Sequence, residues 1–234
     1  MQPTALIVGA HSAIAQAFIA QWQARYDLVT VSRQGMAPLS GVRHYQVADY
    51  TVESLSAVAE TLQGKAVERV VCCVGTLHDA QHFPEKKLSQ LEPEQLHHYF
   101  HVNTVIPALV LRCVVPVLQP TQQGVIAFLS AQIGSIGDNR LGGWYGYRAS
   151  KAALNMLIKT ASIELRRTHK QMAIVALHPG TTDSPLSEPF QPRIPSERLY
   201  TPATTAARLT RVLDGLNPSD SGQLLHWDGS TLPW

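Results

Sequence analysis

Short apolar runs alternate with amphipathic stretches along the whole chain. Ala5–Val8, Leu28–Ser32, His44–Val47, Arg69–Val74, Gly124–Ser130, Met172–Leu177 and Gly222–His226 have strand length, and most are apolar at consecutive positions. Between them, apolar residues recur every three or four positions in Ile14–Arg25, Thr51–Leu62, Glu94–Leu118, Gly143–Arg166 and Pro202–Leu216. Ile14, Phe18, Ile19 and Trp22 mark one such stripe, and Thr51 followed by Glu53 reads as the capped start of another helix. Strands apolar on both faces need cover on both, and helical connections between them give parallel pairing with right-handed crossovers. The pattern predicts an α/β, doubly wound Rossmann fold, a seven-stranded mostly parallel sheet with helices on both faces.

No internal repeat or linker divides the chain, so residues 1–234 read as one domain. Two stretches lack periodicity. Thr76–Glu92 is polar and contains histidine, and His178–Thr201 holds five prolines. A long irregular segment after a late strand is expected to be a substrate lid, here residues 181–200.

Composition narrows the classes. Charged residues make up 15% and hydrophobic ones 45%, which fits a packed enzyme-like domain and excludes a disordered chain. The net charge of +2 is spread too evenly for a nucleic-acid footprint. The first residues lack the basic start and long apolar stretch of a secretory signal. The apolar segment Val102–Leu118 is interrupted by Asn103, Arg112 and two prolines, so no membrane span is expected. Cys72 and Cys73 are neighbours on a strand and point to opposite faces; with Cys113 they read as reduced thiols of a cytoplasmic protein.

The candidate chemistry begins at "LIVGAHSAIAQAF", residues 6–18, a strand, a tight turn and the start of a helix. This is the layout of a dinucleotide loop, but only Gly9 of the usual three glycines remains. Ala13 and Ala15 add one methyl each. The anion site of such a loop is made of free N–H groups at the helix start, here His11, Ser12, Ala13 and Ile14, and these need no glycine. After the second strand comes Ser32-Arg33. A planar, permanent cation there suits a phosphate, so NADPH/NADP is expected rather than NADH.

In "WYGYRASKAALNMLIKTASIEL", Tyr147 and Lys151 are one helical turn apart and share a face. A phenol can protonate a carbonyl oxygen as hydride reaches the carbon. An ammonium one turn away, with a nicotinamide cation, is expected to lower the phenol's pKa. Tyr145 has no such partner.

The ordered set resembles the short-chain dehydrogenase/reductase family over nearly the whole chain. It comprises the Gly9 loop, Ser32-Arg33, Asp49, "CCVG" at 72–75, "HVNT" at 101–104, "FLSAQIGS" at 128–135, Tyr147 with Lys151, and "HPGTTDS" at 178–184. "GSIGDNRLGGWYGYRASKAALN" and "HWDGSTLPW" look most like its C-factor-like and sniffer-like carbonyl-reductase branch. The resemblance implies NADPH-dependent reduction of a small or medium aldehyde or ketone, with pro-S hydride transfer. Tyr147 would be acid and base, while Lys151 would tune it and hold the nicotinamide ribose. Asn103 would hold a water that links Lys151 to solvent. Asp49 would meet the adenine amino group, and Val74-Gly75 the adenine ribose. Pro179, Gly180 and Thr182 would lie at the nicotinamide amide, with Ser184 near the phosphates. A homodimer or homotetramer is implied too.

The chain departs from the family pattern where a serine polarises the substrate carbonyl, since that position is Ala131. Ser135 is the preferred substitute, with Ser130 second. His97 and His101 have metal-pair spacing, but no third ligand is spaced to join them and His98 is set apart, so no metal is expected. The altered loops and Ala131 keep open a binding or signalling protein on the same scaffold, and, less favoured, a dehydratase or epimerase.

Overall fold

The computed structural model describes residues 2–234. Its strands are β1 (Thr4–Val8), β2 (Asp27–Ser32), β3 (Val42–Gln46), β4 (Val67–Cys72), β5 (Gly124–Leu129), β6 (Met172–His178), β7 (Thr181–Thr182), β8 (Leu199–Tyr200), β9 (Leu224–His226) and β10 (Thr231–Leu232). Its α-helices are α1 (Ala13–Trp22), α2 (Val52–Glu60), α3 (Pro93–Phe100), α4 (Ile106–Val114), α5 (Tyr145–Thr168) and α6 (Pro202–Gly215).

The main sheet runs β10-β9-β6-β5-β4-β1-β2-β3. All pairings are parallel except β9 with β10. The sheet therefore has eight strands where the pattern predicted seven. The extra one is a two-residue edge strand that folds back after Gly229, whose φ of +91° suits a turn only glycine makes easily. Two residues are too few to show a period.

Alternation along each strand sends side chains to two cores. Leu6, Val8, Val70, Cys72, Ile126, Phe128 and Ile174 face α2, α4 and α5. Ala5, Ile7, Val71, Cys73, Val125, Ala127 and Val175 face α1 and α6. Cys72 and Cys73 fall on opposite faces, as the strand period requires, and all three cysteines are free and buried. Full burial of Phe18, or of Leu209 across from it, contributes roughly 1.5–3 kcal/mol each.

The stretch read as one helix, 94–118, is composite. After α3 comes a π-helical turn, His101–Val105, then α4 and a 3-10 turn, Val115–Val117. The cause is in the sequence. The α-helical partner of the Asn103 carbonyl would be the N–H of residue 107, and Pro107 has none. The turn widens around that gap, a device frequent at functional sites. By length and composition Pro93–Val117 could cross a bilayer. Here Ile106, Val110, Leu111 and Val114 pack into the core.

Candidate active site

The order of connections reverses between β1 and β4, and the carboxyl ends of these strands open the crevice where doubly wound sheets bind ligands. Gly9, at the end of β1, has φ +84°, and a Cβ on it would stand 2.9 Å from the Val74 nitrogen. The one glycine retained is thus the one the turn cannot replace. Ser12 caps α1, its Oγ accepting from Ala15 N at 3.2 Å and its carbonyl from Gln16 N at 2.9 Å. The N–H groups of Ala13 and Ile14 have no acceptor among the described residues, as the first turn of a helix leaves them. His11 reaches outward to the Gly35 carbonyl at 2.8 Å. Ser32 is buried and its Oγ donates to the Gln34 carbonyl at 2.6 Å, so its hydroxyl is taken by its own turn. Arg33 is exposed and makes no ion pair among the described residues. Asp49 is exposed; one oxygen accepts from Tyr50 N. Free N–H groups, an unpaired guanidinium and a glycine turn form a cradle that fits a dinucleotide phosphate.

At the end of β4, Gly75 is the meeting point of the chemistry. A Cβ there would lie 3.3 Å from Lys151 Nζ and 3.4 Å from Asn103 Oδ1. Asn103 is fully buried. Its Oδ1 accepts from Thr76 N at 2.8 Å, and its amide donates to the Thr76 carbonyl and to Ser150 Oγ, both at 3.0 Å. Its side chain thereby ties the segment after β4 to α5, and its backbone carbonyl is the one Pro107 leaves without a helical donor. Lys151 Nζ donates to the Leu129 carbonyl at 2.9 Å and lies 5.9 Å from the Tyr147 ring centre.

Tyr147 packs in a small cluster with Leu77, Tyr99 and Ala131. Its hydroxyl makes no hydrogen bond among the described residues and is not among the sealed polar atoms, although the residue as a whole is buried. Burial raises the Tyr147 phenol well above its ordinary value. The spacing predicts a phenol lowered by Lys151 together with a bound nicotinamide cation, a different state from the protein alone. In the protein alone desolvation wins, because burial also pushes the Lys151 ammonium down, to about 8, with only a small opposing effect from Cys72.

The serine question resolves into three positions. Ala131 shares a small buried cluster with Tyr147. Ser130 donates its proton to Asn155 Oδ1 at 2.6 Å. Ser135 accepts from Asp138 N at 3.1 Å and keeps its own proton uncommitted. On the late side of the crevice, Gly180 follows Pro179 at the end of β6 with φ +76°; a Cβ would meet Trp227 at 2.9 Å. Thr182 is buried against Thr205 at 2.8 Å, and Ser184 donates to the Thr182 carbonyl at 3.1 Å. The segment 181–200, read from sequence as irregular, is ordered. It pairs β7 with β8 and forms short 3-10 turns at Glu188–Arg193 and Ser196–Arg198.

Sequence reasoning missed Glu85. It is 2% exposed, and Oε2 accepts from Gly146 N at 3.1 Å while its carbonyl accepts from Trp144 N. Its Oε1 is sealed without a partner. α5 has no side-chain cap of its own, so a carboxylate from the 76–92 loop stands at its N-terminus. Only its place in a polar loop hinted at this. The entry to α5 is also unusual: Gly142, Gly143 and Trp144 all have positive φ. For tryptophan that costs about 1–2 kcal/mol. Arg148 holds the turn, donating to the carbonyls of Gly143, Gly142 and Ile133 at 2.9, 3.1 and 3.2 Å.

His98, not His97 or His101, is the histidine the fold gathers. It lies 3.2 Å from Asp79, which also binds His82 at 3.0 Å, and the two rings stack at 4.8 Å. Burial opposes ionisation of Asp79, but bonds from His82 and the backbone of Gln81 and His82 outweigh it and hold the carboxyl at about 2. The ligand atoms of Asp79, His82 and His98 lie within 4.8 Å of one another, a grouping able to hold a metal ion that the sequence spacing did not bring out. His98 Nε2 has no hydrogen-bond partner among the described residues.

A family description for short chain dehydrogenases matches residues 3–194. The chain is 30% identical to 1-hydroxy-2-glutathionyl-2-methyl-3-butene dehydrogenase of Rhodococcus sp. (strain AD45), over 99% of both chains. The carbonyl reductase Sniffer of D. melanogaster superposes with a TM-score of 0.84 over 100% of both chains, at 20% identity. An NADPH-bound carbonyl reductase from chicken fatty liver has the same TM-score and coverage at 22% identity.

Proposed function

The chain belongs to the short-chain dehydrogenase family of nicotinamide-dependent oxidoreductases, and from that premise we propose that it reduces a small or medium aldehyde or ketone with NADPH. The observation that carries this reading is the convergence of Lys151 and Asn103 on Gly75 at the sheet's switch point, with the Tyr147 ring 5.9 Å from Lys151 Nζ. The dinucleotide, when bound, supplies the hydride. Tyr147 gives its phenolic proton to the carbonyl oxygen, which becomes the alcohol oxygen. A raised phenol is the right resting form for this direction, since it arrives protonated. Lys151 holds the nicotinamide ribose and favours the phenolate left behind, and a water at the Asn103 carbonyl returns a proton through Lys151. Asp49 and Val74-Gly75 serve the adenosine end; Ala13, Ile14 and the capping Ser12 the pyrophosphate. Pro179, Gly180, Thr182 and Ser184 line the nicotinamide side.

The test is consumption of NADPH by purified protein with a broad panel of aldehydes and ketones. Absence of both binding and turnover would refute the reading. Arg33 carries the preference for the phosphorylated dinucleotide. Arg33→Ser is expected to raise the KM for NADPH about tenfold or more, the worth of a charge-assisted contact. The KM for NADH should stay as it was; equal loss for both would remove the assignment.

Ser135 is proposed as the carbonyl donor because its proton is free where that of Ser130 is not. With Ser135 as donor, Ser135→Ala should lower kcat by about 10²–10³-fold, the contribution of one oxyanion donor. Ala131→Ser should then change kcat little. Unchanged kcat in Ser135→Ala, or a gain of about tenfold in Ala131→Ser, would show that Ser135 does not fill the role.

A further inference from the structure

Beside Tyr147 the walls of the crevice are aromatic. Trp144 meets Tyr147 edge-on, with ring centres 6.3 Å apart, and Phe190 at 4.9 Å. Phe190 also meets Phe83 at 5.3 Å, and His78 lies 5.6 Å from Phe83 and 5.8 Å from Phe190. These four rings come from three separate places: the 76–92 loop, the turn before α5, and the 3-10 turn within 181–200. No single stretch of sequence announces them.

Three features say that the wall is built rather than incidental. Trp144 is the only non-glycine residue with positive φ among the described residues. Strain at such a position persists where surrounding contacts fix it, and here Arg148 and Glu85 do so. Three of the four wall side chains, Trp144, Phe190 and Phe83, carry no titratable group, and the fourth, His78, is fixed by the Pro185 carbonyl at 3.0 Å from Nε2. Finally, the wall has an apolar open side: Phe83 is 50% exposed, and Leu186, next to the Pro185 that fixes His78, is 41% exposed.

We propose that Trp144, Phe190, Phe83 and His78 form the substrate side of the site and select a carbonyl compound carrying a flat, uncharged, aromatic-sized group. The inference rests on the carbonyl-reductase reading and adds the substrate class. Ring faces and edges favour a planar apolar partner over a short chain of equal reach. A carboxylate or ammonium would be desolvated there with nothing to pair it.

The experiment compares benzaldehyde, propanal and pyruvate with NADPH on the wild type and on Phe190→Ala and Trp144→Ala. The wild type should prefer benzaldehyde over propanal in kcat/KM by about tenfold or more, the scale on which an apolar pocket discriminates. Phe190→Ala, which leaves the entry to α5 untouched, should lower kcat/KM for benzaldehyde more than for propanal and so erase most of that preference. Trp144→Ala should erase the same preference, with turnover of both aldehydes reduced because Trp144 also packs against Tyr147. Equal use of the aldehydes, preference for pyruvate, or a Phe190→Ala preference like that of wild type overturns the assignment. Binding of benzyl alcohol and propan-1-ol to the NADP-loaded protein, followed by tryptophan fluorescence, separates the two readings. Selective benzyl alcohol binding without any turnover defeats the reductase and keeps the aromatic site. Neither binding nor turnover defeats both.

Discussion

Tyr147→Phe is expected to lower kcat by about 10²–10⁴-fold, the usual contribution of a positioned general acid. NADPH affinity should be unchanged. The substitution removes one oxygen, and that oxygen bonds to nothing else in the protein among the described residues, so packing against Leu77, Tyr99 and Ala131 is kept. Loss of turnover with an unchanged melting temperature would assign the effect to the proton. Retained turnover would sink the mechanism and favour a scaffold that binds without catalysing. The pH profile sharpens the test. Lys151 is a cation below about 8 and neutral above it, so kcat/KM for NADPH should fall as pH rises through that value. The phenol, raised by burial, stays protonated across the same range and does not produce that limb. Lys151→Met should abolish the limb along with most of the activity.

Much of the fold was legible because strand faces and helix stripes are written in consecutive residues. Cys72 and Cys73 could be sent to opposite cores from period alone. The partnership of Tyr147 with Lys151 was visible because one helical turn links them. What the sequence hid depends on contacts distant in the chain. The break in the 94–118 helix follows from Pro107 and the Asn103 carbonyl, yet apolar periodicity runs on through both. Desolvation of Lys151 depends on neighbours from β4 and β5, so the sign of the Tyr147 shift could not be read from spacing. The order in 181–200 comes from pairing two-residue strands on either side of a run of turns with four prolines, too short to leave a pattern. Whether Ser130 or Ser135 keeps a free proton turns on Asn155, one helix away.

Glu85 shows how such a hidden contact can bear on the chemistry, and Gly146 is where to test it. Gly146 immediately precedes the proposed acid, and Gly146→Ala is expected to lower kcat about 100-fold, the cost of a catalytic group displaced by around 1 Å. A Cβ there would stand 2.6 Å from Tyr99 Cδ2 and 2.8 Å from Glu85 Oε1, and 3.2 Å from Leu96 Cδ2. The two nearest cannot yield cheaply. Tyr99 is fully buried with its hydroxyl donating to the Leu77 carbonyl at 2.7 Å, and Glu85 is held by its bond from Gly146 N. The helix start must therefore move, and Tyr147 moves with it. Overpacking of this kind also destabilises by about 1–3 kcal/mol, so the melting temperature should drop. Glu85→Gln distinguishes displacement from general loosening. It keeps an acceptor for Gly146 N and adds no volume, so its kcat should stay far above that of Gly146→Ala at matched stability. If Gly146→Ala turns over like the wild type, the tight approach of the 76–92 loop to α5 does not set the position of the phenol.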